Sequence, residues 1–220
     1  MDTEDVLISA DIQNLRKYRE ASESIRLLEK HVLAQAATIT EAQLRRVLQY
    51  VSTRRHAHRD RTILLVSFNA GLRAKEIAAL LVGDIYDDAG AVREQFILRR
   101  AQTKGGYERT VYLNRTLRRA LAEYRMLVQH SKPTDALFST QKRAAFSANT
   151  MCQLFLEIYT ASGVNGASSH SGRRTFITRL ANKGVSVRQL AALAGHASIS
   201  TTQKYIDVNS EQLARAVELL

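Results

Sequence analysis

The chain has 220 residues, 45% of them hydrophobic, with a mean hydropathy of -0.23, enough apolar material to bury a sizeable core in one domain plus an appendage. No stretch approaches the roughly 18 consecutive apolar residues of a bilayer span, the acidic start MDTEDV lacks the features of a signal peptide, and the single Cys152 excludes a disulfide framework or a cysteine-rich metal site within one chain. A cytoplasmic protein is expected. Lys and Arg total 32 against 21 Asp and Glu, for a formal charge of +11, spread along the chain as a folded cationic surface would spread them; nucleic acid, an acidic membrane surface and an acidic protein all suit such a field, so motifs have to decide.

With one proline, Pro133, and no low-complexity segment, helices with short connections are expected through most of the length. Residues 5–36 carry Ile12, Leu15, Ile25, Leu28 and Val32 at helical spacing and read as a helical arm or linker, assigned to residues 1–37, ahead of a compact domain over 38–220. Thr40 with Gln43 forms a capping box that opens this domain. A buried helix over about Arg59–Asn69 ends at Gly71, and a short helix, Ala74 to Leu81, follows. Between Gly83 and Asn114 the strings GDIY, EQFILRRAQ and ERTVYLN surround a turn-like KGGY and predict a small three-stranded antiparallel sheet containing a hairpin. Helical periodicity returns over 116–129, 149–162 and 170–182, where Gly184 makes a stop, and Ser186 with Gln189 caps a helix over Val187–Ala194 that Gly195 ends. Two more short helices are expected, one carrying Tyr205 and one over Glu211–Leu219. The fold class is mainly α with a small antiparallel three-stranded β-sheet, α+β.

Several residues on this scaffold could act on a phosphate. Arg73 begins a helix with Glu76 three residues on, near enough to brace a guanidinium; the same spacing is common on solvated helix faces. His170 and Arg173 in SSHSGRRTF project from one face of a helix start, whose free N–H groups suit an anion, although such a pair also occurs by chance in basic proteins. Near Gly195, His196 leads to Tyr205 through HASISTTQKY; a lone His there often caps or packs, and a lone Tyr on an amphipathic helix is usually core. Lys104 sits at the tip of the expected hairpin, where a solvated lysine is ordinary, with Arg109 at its base. Guanidinium forks match phosphate oxygens bidentately and stay charged, so Arg73 and Arg173 suit a phosphate clamp. No carboxylate cluster with metal-ligand spacing stands out, and the site is expected to work without metal or cofactor.

The strings GLRAKE, TKGG, HSGRRTF and GHASISTTQKYI occur in this order, and over about residues 38–210 the chain resembles the tyrosine recombinases, the family that includes phage integrases and Xer-type chromosome-dimer resolvases. The resemblance implies the tyrosine recombinase catalytic-domain fold and a site-specific recombinase or integrase that cleaves and rejoins DNA through a 3′-phosphotyrosyl intermediate. It implies Tyr205 as nucleophile, Arg73 and Arg173 on the phosphate, His170 as proton acceptor, His196 as hydrogen-bond donor and Lys104 as general acid. Glu76 becomes a supporting residue, and Arg109, Arg174 and Lys204 DNA-binding residues. The implied partners are a double-stranded recombination site, in the cytoplasm on prokaryotic nucleoid DNA, and further copies of the chain in a tetramer, with room for accessory DNA-bending proteins. A C-terminal helix from about residue 208 either docks on a neighbour or packs on its own domain.

Two departures stand inside the motif: Gly172 replaces the usual Leu before the second arginine, and Arg174 the usual His after it. Residues 1–37 are also too short for the family's core-binding domain, which leaves a short family member or a fragment as alternatives. From other classes, a non-cleaving DNA-binding regulator would keep the basic fold without the full residue set, and a type IB topoisomerase would use a similar constellation.

Overall fold

In a computed structural model of the chain, residues 36–103, 106–129, 131–206 and 217–218 are described. The expected helical arm, Lys104 and most of the expected C-terminal helix lie outside them.

Helix α1 (Glu41–Ser52) starts where the Thr40 side chain accepts the Gln43 N–H and the Gln43 side chain accepts the Thr40 N–H, the reciprocal capping its sequence calls for. It turns Leu44, Val47 and Val51 inward against α2 (Ala57–Ala70). The second half of helix α2 is buried nearly all round, with Ile63, Leu64, Leu65, Val66 and Phe68 in an almost unbroken buried run, and a helix covered on every side sits at the centre. It packs against α1, against α5 (Arg115–Arg125) and against α7 (Ser171–Asn182). Near its start the fully buried Asp60 is neutralised by Arg54 and Arg59, each at 2.8 Å.

After Gly71 the chain forms α3 (Ala74–Ala78) and α4 (Val82–Ile85), then strands β1 (Gln95–Leu98) and β2 (Arg109–Tyr112), paired antiparallel from Gln95↔Tyr112 to Leu98↔Arg109. Among the described residues the sheet has two strands, not the expected three. GDIY, read as the first strand from its β-branched and aromatic residues, instead forms α4, because the Asp84 carboxylate accepts the Leu81 N–H at 2.9 Å and closes a helical turn. Only Tyr86 keeps an extended pairing, an isolated bridge to Val92. The two strands are joined by a ten-residue connection. Residues 99–108 intervene with a 3₁₀ turn over Arg100–Gln102, and the Gln102 amide donates to Ala79 O and Asp84 Oδ2 at 2.8 and 2.7 Å, drawing the chain onto α3 and α4.

Helix α6 (Ala148–Ala161), capped by Ser147, packs on α1 and α3. Helix α8 (Val187–Ala194) runs over the expected residues, opened by Ser186 with Gln189 and ended by Gly195. The last described helix, α9 (Ile199–Gln203), packs on α8. Tyr205 stands two residues past its end rather than on a helix, its amide held by the Thr202 carbonyl at 3.0 Å.

Candidate active site

The end of α2, the starts of α3 and α7 and the end of α8 meet at one place, and Arg173 joins them. Its side chain is buried; Nη1 donates to Gly71 O at 2.7 Å and Nη2 donates to Ala194 O. One guanidinium thereby ties the end of α2 to the end of α8, which only a forked, multi-donor group can do. The unusual Gly172 is explained by the same approach. A Cβ there would lie 2.2 Å from Ser67 Oγ and 3.2 Å from the Ser67 carbonyl carbon, so a leucine would force α7 away from α2.

Glu76, on α3, is fully buried and holds two guanidinium groups. Its Oε1 accepts from Arg73 Nη1 at 2.9 Å and its Oε2 from Arg109 Nη2 at 2.8 Å, while Oε2 also accepts the Arg73 N–H. The solvated alternative for the Arg73–Glu76 pair is thus excluded by burial. Arg109 reaches Glu76 from β2 through a notch at Gly195, and its side chain is only 10% exposed, so it braces the site from beneath. Three positive charges around one carboxylate leave a surplus that an anion can neutralise. That surplus shows in Arg173: burial first, then the charge of Arg73, with Arg109 adding, lowers its pKa to about 9, against the opposing pull of Glu76 and Tyr205.

Tyr205 joins this cluster through His196. The phenol ring stacks on His196, centroids 5.8 Å apart and planes 16° from parallel, and the Arg174 guanidinium lies 5.6 Å from the ring centroid. His196 follows the αL turn at Gly195, and its Nδ1 lies 2.8 Å from the hydroxyl of the fully buried Thr202. Burial, then Arg173, Arg73 and Arg109, lower the His196 pKa to about 4, so the ring is neutral at pH 7. Beside these groups opens a cleft of about 900 Å³ lined by Arg73, Glu76, Arg109 and His196, with Tyr107 and Thr201 among its walls.

Of the residues singled out from the sequence, Arg73, Glu76, Arg109, Arg173, Arg174, His196 and Tyr205 come together. His170 stands exposed at the start of α7, one turn before Arg173, its Nδ1 3.4 Å from Ser169 Oγ, and it is not among the cleft's lining residues. Lys204 is exposed at the end of α9, and Lys104 lies outside the described residues. Two features escaped the sequence reading. Arg109 pairs with Glu76 across 33 positions, which no local spacing signals, and Thr202 was passed over, although a threonine three residues before the tyrosine in TTQKY was visible.

Among the described residues no helix is long and apolar enough to cross a membrane, and no group of three or more His, Cys, Asp or Glu is placed to hold a metal ion. A model of the phage integrase family matches residues 37–212. The chain belongs to the phage integrase family. Relatives within it include the tyrosine recombinase XerD of Neisseria meningitidis serogroup B, 30% identical over 185 residues, 82% of this chain and 61% of that protein. The tyrosine recombinase XerA of Pyrococcus furiosus is 29% identical over 184 residues, 82% of this chain and 60% of that one. The chain thus spans about three fifths of the length of these two integrase-family relatives. In three dimensions it is similar to a XerA recombinase crystal structure, with a TM-score of 0.68 at 23% identity over 84% of this chain and 66% of that one. It is also similar to the Tn1549 transposon integrase in complex with circular intermediate DNA, with a TM-score of 0.65 at 20% identity over 83% of this chain and 66% of that one. The fold is that of the tyrosine recombinase catalytic domain.

Proposed function

We propose that residues 38–220 form the catalytic domain of a site-specific DNA recombinase in which Tyr205 attacks a backbone phosphate of duplex DNA. The observation that carries this reading is the meeting of Tyr205, stacked on His196, with the buried Arg173 and the Arg73–Glu76–Arg109 cluster. Transfer of a phosphodiester demands an in-line nucleophile and stabilisation of charge on the non-bridging oxygens, most of it by groups already in place. Arg73 and Arg173 supply that charge, and Glu76 and the two backbone carbonyls hold them aimed before DNA arrives.

Attack by the Tyr205 hydroxyl on phosphorus releases its proton, and His170, at the start of the helix that carries Arg173, is the acceptor. His196 donates a hydrogen bond to a phosphate oxygen. Lys104 donates a proton to the departing 5′-oxygen. The bond formed is a 3′-phosphotyrosyl ester, the bond broken is the P–O5′ bond, and a free 5′-hydroxyl leaves. Because the ester keeps the energy of the original linkage, a 5′-hydroxyl from another strand can attack it and release Tyr205, without ATP or metal. Arg109, Arg174 and Lys204 add positive charge along the DNA, and two strand exchanges need further copies of the chain, four on a paired site, with accessory DNA-bending proteins where the site requires them. The setting is cytoplasmic, on nucleoid DNA.

A nicked recognition duplex, which traps the ester when the short 5′-fragment diffuses away, tests this reading. Wild type forms a covalent adduct and Tyr205→Phe does not. Binding of the duplex by wild type without any adduct would point instead to a non-cleaving DNA-binding protein.

A further inference from the structure

Thr202 is fully buried, and among the described residues the one hydrogen-bond partner of its hydroxyl is His196 Nδ1, 2.8 Å away. Its carbonyl accepts the Tyr205 N–H at 3.0 Å. One residue therefore holds His196 through its side chain and Tyr205 through its main chain, and the two rings so held are the stacked pair, 5.8 Å apart.

The proton count in this contact decides which way it runs. A neutral imidazole has one bare nitrogen and one N–H, and a threonine hydroxyl has one proton to give. Were the ring proton on Nδ1, it would donate into Thr202 Oγ1, and the buried hydroxyl proton would be left without an acceptor, an arrangement that carries the full desolvation cost of the group. With Nδ1 bare, the hydroxyl donates to it and both groups are satisfied.

We infer that Thr202 is a positioning residue that sets the tautomer of His196: its hydroxyl donates to Nδ1, so the ring carries its proton on Nε2 as a donor to an anionic oxygen in the cleft. The partner of one ring nitrogen fixes the role of the other in histidine sites generally. Burial and the neighbouring arginines keep the ring neutral at pH 7, so the choice is between two tautomers and not between a tautomer and the imidazolium. The tautomer itself follows from this chain's own contacts. The identity of the anion as the scissile phosphate rests on the strand-transfer reading above.

The imidazole ¹⁵N spectrum of histidine-labelled wild type at pH 7 tests the inference. The His196 signals, assigned by their absence from His196→Gln, are expected to show the Nε2–H tautomer; an Nδ1–H tautomer would overturn it. Thr202→Val, close to Thr in shape but without the hydroxyl, is expected to bind duplex within about twofold of wild type and to lose about tenfold or more in single-turnover cleavage of the nicked duplex, the loss that follows when the group holding the other nitrogen of a working histidine is removed. Its His196 spectrum should show mixed tautomers. Thr202→Ser, which keeps the hydroxyl, should return most of the lost rate. Cleavage by Thr202→Val at the wild-type rate, or a Thr202→Ser protein that folds yet cleaves no better than Thr202→Val, counts against the inference. Should wild type form no adduct at all, the strand-transfer reading fails, while the wild-type spectrum still decides the tautomer on its own.

Discussion

Gly195 leaves the opening through which Arg109 reaches the site, for a Cβ at that position would stand 2.4 Å from Arg109 Nε. The same residue has φ of 64°, in the left-handed region that ends α8. Gly195→Ala is therefore expected to destabilise the fold by roughly 1–3 kcal/mol from backbone strain alone, and to displace Arg109 from Glu76. Thermal unfolding reads the first effect as a lower Tm. An unchanged Tm would show that the notch is not needed.

Arg173 donates to Gly71 O and Ala194 O from different nitrogens, and a lysine ammonium on a single stem cannot reproduce that span with the same aim. Arg173→Lys keeps the charge and loses the fork. Cleavage of the nicked duplex should fall by about 100-fold or more, the loss seen when one preorganised donor is removed from a transition state, while duplex affinity stays within about threefold because binding draws on charge over the whole face. Wild-type cleavage by the variant would remove Arg173 from the clamp.

His196 has a folded-state pKa of about 4 against an ordinary 6.5, lowered by burial and then by Arg173, Arg73 and Arg109. Between those values the unfolded chain takes up a proton that the folded chain refuses, so this residue makes stability fall as the pH drops from about 6.5 toward about 4 and contributes no pH dependence above that window. Urea unfolding of wild type and His196→Gln across pH 4.5–7.5 measures it: the stability difference between them should shift in favour of the variant on acidification. A difference that is flat with pH would contradict the assignment.

The parts of the fold legible in the sequence are those in which side chains close their own helix ends. Thr40 with Gln43 and Ser186 with Gln189 mark helix starts through contacts three residues apart, and α8 begins and ends where its sequence places it. GDIY is the exception: the Asp84 carboxylate closes the turn on the Leu81 N–H three residues before it, a local contact outweighed in the sequence by the β-branched and aromatic residues around it, and Gln102 and Arg99, brought by the tertiary fold, hold that carboxylate. The candidate site divides in the same way. Arg73 and Glu76 are visible as a spacing, but whether their pair is solvated or buried depends on packing around α3, and Arg109 arrives from a strand whose register the spacing does not encode. Tyr205 was named from its motif, whereas its place beyond α9 depends on the Thr202 carbonyl and on the ring stacked against it.

A formal charge of +11 and a cleft edged by arginines predict that duplex affinity comes largely from release of counterions from the phosphates. Raising salt from about 50 to about 200 mM should weaken binding by roughly 100-fold or more. A titration monitored by fluorescence anisotropy measures the slope, and affinity independent of salt would mean that the cationic face is not the docking face.

The central claim, that Tyr205 is the residue joined to DNA, is tested most directly by digesting the covalent adduct with protease and nuclease and locating the nucleotide-bearing peptide by mass spectrometry. The account predicts a nucleotide on the peptide that carries Tyr205, joined through its 3′-phosphate to the phenol oxygen. Attachment to any other residue would contradict it.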